Sequence, residues 1–268
     1  MEAVAATVSE TPGAISGHNL SKTYRQKGQE PQVALADLSF DFPAATLNVV
    51  MGTSGCGKST LAKMLAGYAK PDEGNLTCDG KRITGPGPDR LTVFQETTLW
   101  PWMTVQENVV FGPLSRGGSR SEADAAAAEL LRRFGLSDFR DHFPGQLSGG
   151  MMRRAEIAQA LINSPSVMIL DEPFRGLDVM TRELMQEYYV RLFEETRLST
   201  VFITAELEEA LFLADRIYIM SDAPGRIVKI LDVDLPRPRE ISCLATRRYA
   251  ELEQEALDAL YAGREDLD

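Results

Sequence analysis

Gly52-Thr53-Ser54-Gly55-Cys56-Gly57-Lys58-Ser59 sets three glycines around a lysine–serine pair. Glycines let a backbone wrap closely around a phosphate, with N–H groups pointing inward. The spacing fits G-x-x-x-x-G-K-[ST], which cradles phosphates when a strand precedes it and a helix follows. In that setting Lys58 reaches the β- and γ-phosphates and Ser59 offers its hydroxyl to Mg²⁺. Cys56 occupies a variable slot and implies no redox role. A second cluster is Asp171-Glu172, two carboxylates at the end of the apolar run Val167–Leu170. Asp171 suits Mg²⁺ held through water, and Glu172 suits orienting or deprotonating an attacking water.

These groups need elements to position them. Leu47–Val50 reads as a buried strand entering the glycine loop, and a helix follows from Lys58 to about Ala66. Short apolar runs over Ile15–Tyr24 and Val33–Phe42 suggest strands joined by turns, and Leu91–Gln95 another strand. Ser121-Glu-Ala-Asp124 resembles a capping box opening an Ala-rich helix that Gly135 stops; a second helix follows Ser148 to about Ile162. Strands at Val167–Leu170, Thr200–Thr204 and Ile217–Met220 alternate with helices at Met180–Thr196 and Glu206–Ala214, which implies a parallel sheet. An amphipathic helix closes the chain over 246–261. The expected fold is an α/β phosphate-loop core with a mixed, largely parallel sheet, N-terminal antiparallel strands and a helical lobe inserted over about 96–165. A flexible tail is expected over 1–16, the main domain over 17–237 and a C-terminal helical tail over 238–268.

Composition narrows the class. The 268 residues carry 28 Lys plus Arg against 39 Asp plus Glu, a net charge of −11. That balance argues against broad nucleic-acid binding, but a local anion site built from N–H groups stays open. No stretch approaches the roughly 18 apolar residues of a membrane span. Residues 1–14 lack Lys, Arg and an apolar core, unlike a secretory signal. Three cysteines without metal-like spacing fit reduced thiols in a cytosolic compartment.

With Leu147-Ser148-Gly149-Gly150 between the two clusters, the chain resembles the ATP-binding cassette ATPases over about residues 17–235. The resemblance implies ATP and Mg²⁺ as cofactors. It implies ATP contacts in one subunit from Tyr24, stacked on adenine, and from Gly52, Thr53, Ser54, Gly55, Cys56, Gly57, Lys58, Ser59 and Thr60. A second cassette, a copy or a relative, adds Ser148, Gly149, Gly150 and the loop of Asp178. Glu172, Lys58 and Gln95 are the implied catalytic residues, with Mg²⁺ on Ser59, Gln95 and Asp171. Thr84–Arg90, Val93–Glu96 and Leu99–Val109 look like the branch that energises import of nitrate, sulfonate, taurine or similar small anions. There the chain sits peripherally on the cytoplasmic face of the inner membrane. It docks a separate permease near Gln95–Asn108 and serves a periplasmic binding protein indirectly. Trp100-Pro-Trp102-Met103 is an apolar loop suited to a permease helix, unless both Trp residues pack inside the lobe. A cassette working on DNA or ribosomes fits poorly with the negative charge and the lack of a coiled-coil insertion.

The pattern breaks after Thr200–Thr204. Where the family has a His contacting the γ-phosphate, this chain has Ala205, and its two histidines, His18 and His142, offer no substitute. An engineered change, an impaired subunit paired with a competent one, or another group filling the role each fits. The alternative function is accordingly an impaired ATP-binding regulatory or structural subunit. Met152 and Gln159 stand where Arg is usual, and Glu156 and Arg175 where small residues are usual; these could alter the dimer surface or permit a hetero-pair.

Overall fold

The computed structural model describes residues 13–265 other than 26 and 29. The chain opens with β1 (Ile15–Tyr24), β2 (Gln32–Phe42) and β3 (Leu47–Met51), then α1 (Lys58–Leu65). Next come β4 (Glu73–Cys78), β5 (Lys81–Arg82) and β6 (Arg90–Val93), followed by α2 (Val105–Ser115), α3 (Arg120–Arg133) and α4 (Gly149–Leu161). The last third is β7 (Val167–Asp171), α5 (Val179–Thr196), β8 (Ser199–Thr204), α6 (Leu207–Leu213), β9 (Arg216–Met220), β10 (Ile227–Asp232) and α7 (Arg247–Glu265).

Two sheets result. An antiparallel one runs β2-β1-β4-β5, and a mixed one runs β10-β9-β3-β8-β7-β6, parallel except for β10 against β9. Every residue of β3, β7 and β8 is buried, as a parallel sheet covered on both faces requires. Side chains alternate between two cores. Val50, Val167, Ile169, Val201 and Ile203 pack with α1 and the antiparallel sheet, while Val49, Met51, Met168, Leu170 and Phe202 pack with the helical side. The register pairs Met51 with Thr204, Asp171 with Ile203 and Val93 with Leu170. The chain therefore leaves β3, β8, β7 and β6 at one common edge, where ligands bind in such sheets.

Several boundaries differ from the sequence reading. Of the tail expected over 1–16, residues 1–12 lie outside the described residues, but Ile15 and Ser16 belong to β1 and Ile15 is fully buried. The strand expected to reach Gln95 stops at Val93, because the Arg153 guanidinium takes the carbonyls of Phe94 at 2.6 Å and Gln95 at 2.7 Å. The cap of α3 is Ser119, whose Oγ accepts from the Glu122 N–H, rather than Ser121. α2 was not anticipated: Gly112 and Pro113 interrupt its pattern, yet Thr104 and Glu107 form a reciprocal capping box at its start. The C-terminal segment is anchored, with Cys243, Tyr249, Leu252 and Ala256 in the same core as Leu231 and Leu235.

Candidate functional site

The glycine loop leaves β3 and turns into α1. Gly57 caps that helix at φ 104°, and a side chain there would meet the Ala34 carbonyl at 2.7 Å, so glycine is required twice over. Gly55 also has positive φ, at 85°. The loop lies between β2 and the turn after β9: Leu35 bridges to Gly225, and the Thr53 hydroxyl donates to the Asp222 carboxylate. The Lys58 ammonium, 4 % exposed, donates to the carbonyls of Gly52 at 2.8 Å and Thr53 at 2.7 Å. Burial pushes the Cys56 thiol above its ordinary value, with Lys58 opposing, so it stays a thiol. Ser54 lines the nearby cavity, and Thr60 occupies the first turn of α1.

Asp171 and Glu172 leave β7 beside this loop. The Ser59 hydroxyl donates a long hydrogen bond, 3.4 Å, to Asp171 Oδ1. Burial raises the Asp171 carboxyl, and Ser59 and Lys58 pull it back down. A hydroxyl and a carboxylate converging on one point are the hard oxygen donors that Mg²⁺ takes, so the pair fits that ion. Gln95, two residues beyond β6, lies at the same sheet edge; its backbone carbonyl is fixed by Arg153 and its side chain is exposed.

Glu172 adopts φ 45°, and its N–H donates to the Ile203 carbonyl at 2.9 Å. Its two oxygens face two cations: Oε1 lies 3.7 Å from Lys58 Nζ and Oε2 lies 2.7 Å from Arg175 Nη1. Glu172, Arg175 and Ala205 line one cavity of about 150 Å³, with Ser54, Phe174, Arg182, Thr204, Glu206 and Glu209. Ala205 presents only a methyl group there. Glu209 is 4 % exposed and held by Gln186 Nε2 at 3.0 Å, and burial raises its carboxyl.

Other anticipated residues sit apart from this cluster. Ser148 caps α4, its Oγ accepting from the Met151 N–H at 3.3 Å. Gly149 abuts Leu177, and Gly150 is close enough to Thr181 that a side chain would clash at 2.7 Å. Ser148 and Gly149 are exposed, aiming the positive end of α4 outward. Asp178 caps α5 through the Thr181 N–H and hydroxyl, which hold its carboxyl below the ordinary range. Tyr24, at the end of β1, is 38 % exposed with Lys22 Nζ 5.7 Å from its ring centroid.

The Trp loop resolves into two roles. The Trp100 ring packs against Phe111 with centroids 4.2 Å apart and planes tilted by 54°, and Trp102 is 69 % exposed, so the two rings are not both packed inside the lobe. Asn108, fully buried, grips the loop: its Nδ2 donates to the carbonyls of Trp100, Met103 and Thr104, and its Oδ1 accepts from the Trp100 N–H.

Sequence reasoning missed the Arg153–Glu156 clasp. Both side chains are buried, they pair at 2.7 Å, and Glu156 Oε1 accepts from the Thr98 N–H. Burial raises the Glu156 carboxyl and lowers the Arg153 guanidinium, and each charge offsets part of the other's penalty. Their i, i+3 spacing on a helix was a visible signal of the pair, though not of its backbone targets.

Comparison with known proteins agrees with this geometry. The profile of the family described as "ABC transporter" matches residues 35–175. The taurine import ATP-binding protein TauB of Rhizobium johnstonii is 43% identical over 87% of this chain and 91% of its own length. The bicarbonate transport ATP-binding protein CmpD of Synechocystis sp. is 40% identical over 94% of this chain and 90% of its own. A solved dimeric ATP-binding cassette in a post-hydrolysis state, bound to ADP and Pi, superposes with a TM-score of 0.72 at 30% identity, covering 82% of this chain and 98% of that one.

Proposed function

The chain belongs to the ABC transporter family, and from that premise we propose that it is the ATP-hydrolysing subunit of an importer for a small anion, driving a separate membrane permease. The observation that carries the reading is the convergence, at one sheet edge, of the glycine loop with Lys58, the Ser59–Asp171 pair and the flanked carboxylate of Glu172. The names of relatives for taurine and bicarbonate support a small anion as cargo.

Bound Mg²⁺ supplies charge neutralisation at the phosphates, and Ser59, Asp171 and the side chain of Gln95 are the residues that hold it. The inward N–H groups of the loop and Lys58 bind the β- and γ-phosphates, and Tyr24 stacks on the adenine. Glu172 orients the attacking water and takes its proton. Ser148 to Gly150, at the N-terminus of α4 with Ser148 and Gly149 exposed, serve the nucleotide held by a second cassette, and Asp178 fixes the neighbouring turn. Two cassettes therefore close on ATP and reopen after hydrolysis at the cytoplasmic face of the membrane. The exposed Trp102 and the Asn108-held loop receive the permease.

Purified chain is expected to bind Mg-ATP and release phosphate. Glu172→Gln should keep ATP binding while turnover falls by roughly 10²- to 10⁴-fold. ATP binding that is absent even at millimolar nucleotide refutes the reading. Trp102→Glu should abolish co-purification with the membrane subunits while leaving ATP binding intact; retained co-purification would move the docking surface elsewhere.

A further inference from the structure

Ala205 leaves the cavity at the end of β8 without a hydrogen-bonding side chain at that position, yet the carboxylate it faces is strongly held. Glu172 is only 12 % exposed in its side chain, and a buried carboxylate needs partners. One of them, Lys58, belongs to the phosphate loop and is committed to phosphate when nucleotide binds. The other is Arg175. The turn after β7 folds it back, its N–H donating to the Glu172 carbonyl at 3.2 Å and its guanidinium meeting Glu172 Oε2 at 2.7 Å. The Arg175 side chain is 58 % exposed, so it enters the cavity from solvent instead of forming part of the core. Arg182, the second arginine lining the cavity, donates to the Leu177 carbonyl at 3.3 Å.

Resting on the ATPase reading above, we infer that Arg175 is the positioning residue of this site: it holds Glu172 in its water-orienting rotamer and compensates, within the same cavity, for the polar group that position 205 lacks. Arginine suits the task, since one N–H of its planar guanidinium points at a single carboxylate oxygen, Oε2, and leaves Oε1 to Lys58. The role is one of orientation, so it appears in turnover and leaves nucleotide affinity alone.

The test uses the full chain with Mg-ATP, reading kcat and KM together with the affinity for a non-hydrolysable ATP analogue. Arg175→Ala is expected to lower kcat about tenfold or more, with KM and analogue affinity changed less than about twofold. Arg175→Lys is expected to recover part of the loss, since the charge returns without the fixed direction of the guanidinium N–H. Ala205→His is expected to raise kcat by about fivefold more in the Arg175→Ala background than in the wild type, the signature of two groups sharing one task. Unchanged kcat in Arg175→Ala overturns the inference. So does a rise, which would make the ion pair a restraint on Glu172, and so does an equal effect of Ala205→His in both backgrounds. A wild-type chain that binds the analogue but does not turn over overturns it too, while failure to bind the analogue removes the ATPase reading itself.

Discussion

Lys58, Asp171 and Glu172 show what one residue contributes at this site. None acts alone: Lys58 is placed by two carbonyls of its own loop, Asp171 faces a hydroxyl, and Glu172 lies between two cations. Cys56 sits within the same loop and stays out of the chemistry because it is buried. A raised thiol pKa means less thiolate at a given pH, and the thiolate is the reactive form. Cys78 and Cys243 are also buried with raised values, desolvation being the largest cause in each. Native protein at pH 7.5 is therefore expected to react with iodoacetamide at least about tenfold more slowly than after denaturation, at all three positions. Mass spectrometry of timed alkylation checks this, and rapid native labelling of Cys56 would show the loop open to solvent.

Among the elements, α4 carries more than its signature. Its N-cap is the exposed Ser148, while Arg153 and Glu156 further along bind the strand exit that carries Gln95. Breaking such a buried pair from one side strands a charge. Glu156→Ala or Arg153→Met alone is expected to cost about 3–5 kcal/mol, and the double change less than the sum of the two. Urea unfolding of the four proteins measures this, and simple additivity would show that the pair is not coupled. The contrast with the phosphate loop explains what was legible in the sequence. The loop is contiguous, and its glycines and Lys58 announce both turn and ligand. The clasp joins Arg153 to a carbonyl 59 residues away, and a backbone acceptor has no side-chain identity to read. The cap of α3 was misplaced for a local reason: Ser119 and Ser121 each have an acidic residue three positions on, Glu122 and Asp124, and only packing selects between them. α2 was hidden by Gly112 and Pro113 despite its capping box.

At the scale of the whole molecule, a net charge of −11 says little about a local phosphate site, because the proposed one depends on a few loop N–H groups and Lys58. No helix among the described residues is long and apolar enough to cross a membrane. The C-terminal helix completes the body. α7 buries Tyr249, Leu252 and Ala256, and ahead of it Arg239 donates to the carbonyls of Ala214 at 2.7 Å and Val233 at 3.1 Å. Each large apolar side chain buried there contributes about 1.5–3 kcal/mol. Truncation after 238 is therefore expected to lower the melting temperature by at least about 5 °C, or to leave the product insoluble. A truncated chain melting with the full-length protein would make the segment a dispensable appendage.

The grip of Asn108 has one more consequence. All of its hydrogen-bonding groups are engaged, the amide nitrogen with three carbonyl oxygens and the amide oxygen with one N–H. Exchanging that nitrogen for oxygen, the smallest chemical edit the side chain allows, would turn three attractions into three confrontations between lone pairs. Nothing in the size or shape of the residue would have changed, yet the loop displaying Trp102 would lose its reason to hold its shape. The surface proposed to receive the membrane subunits thus hangs on the identity of a single atom.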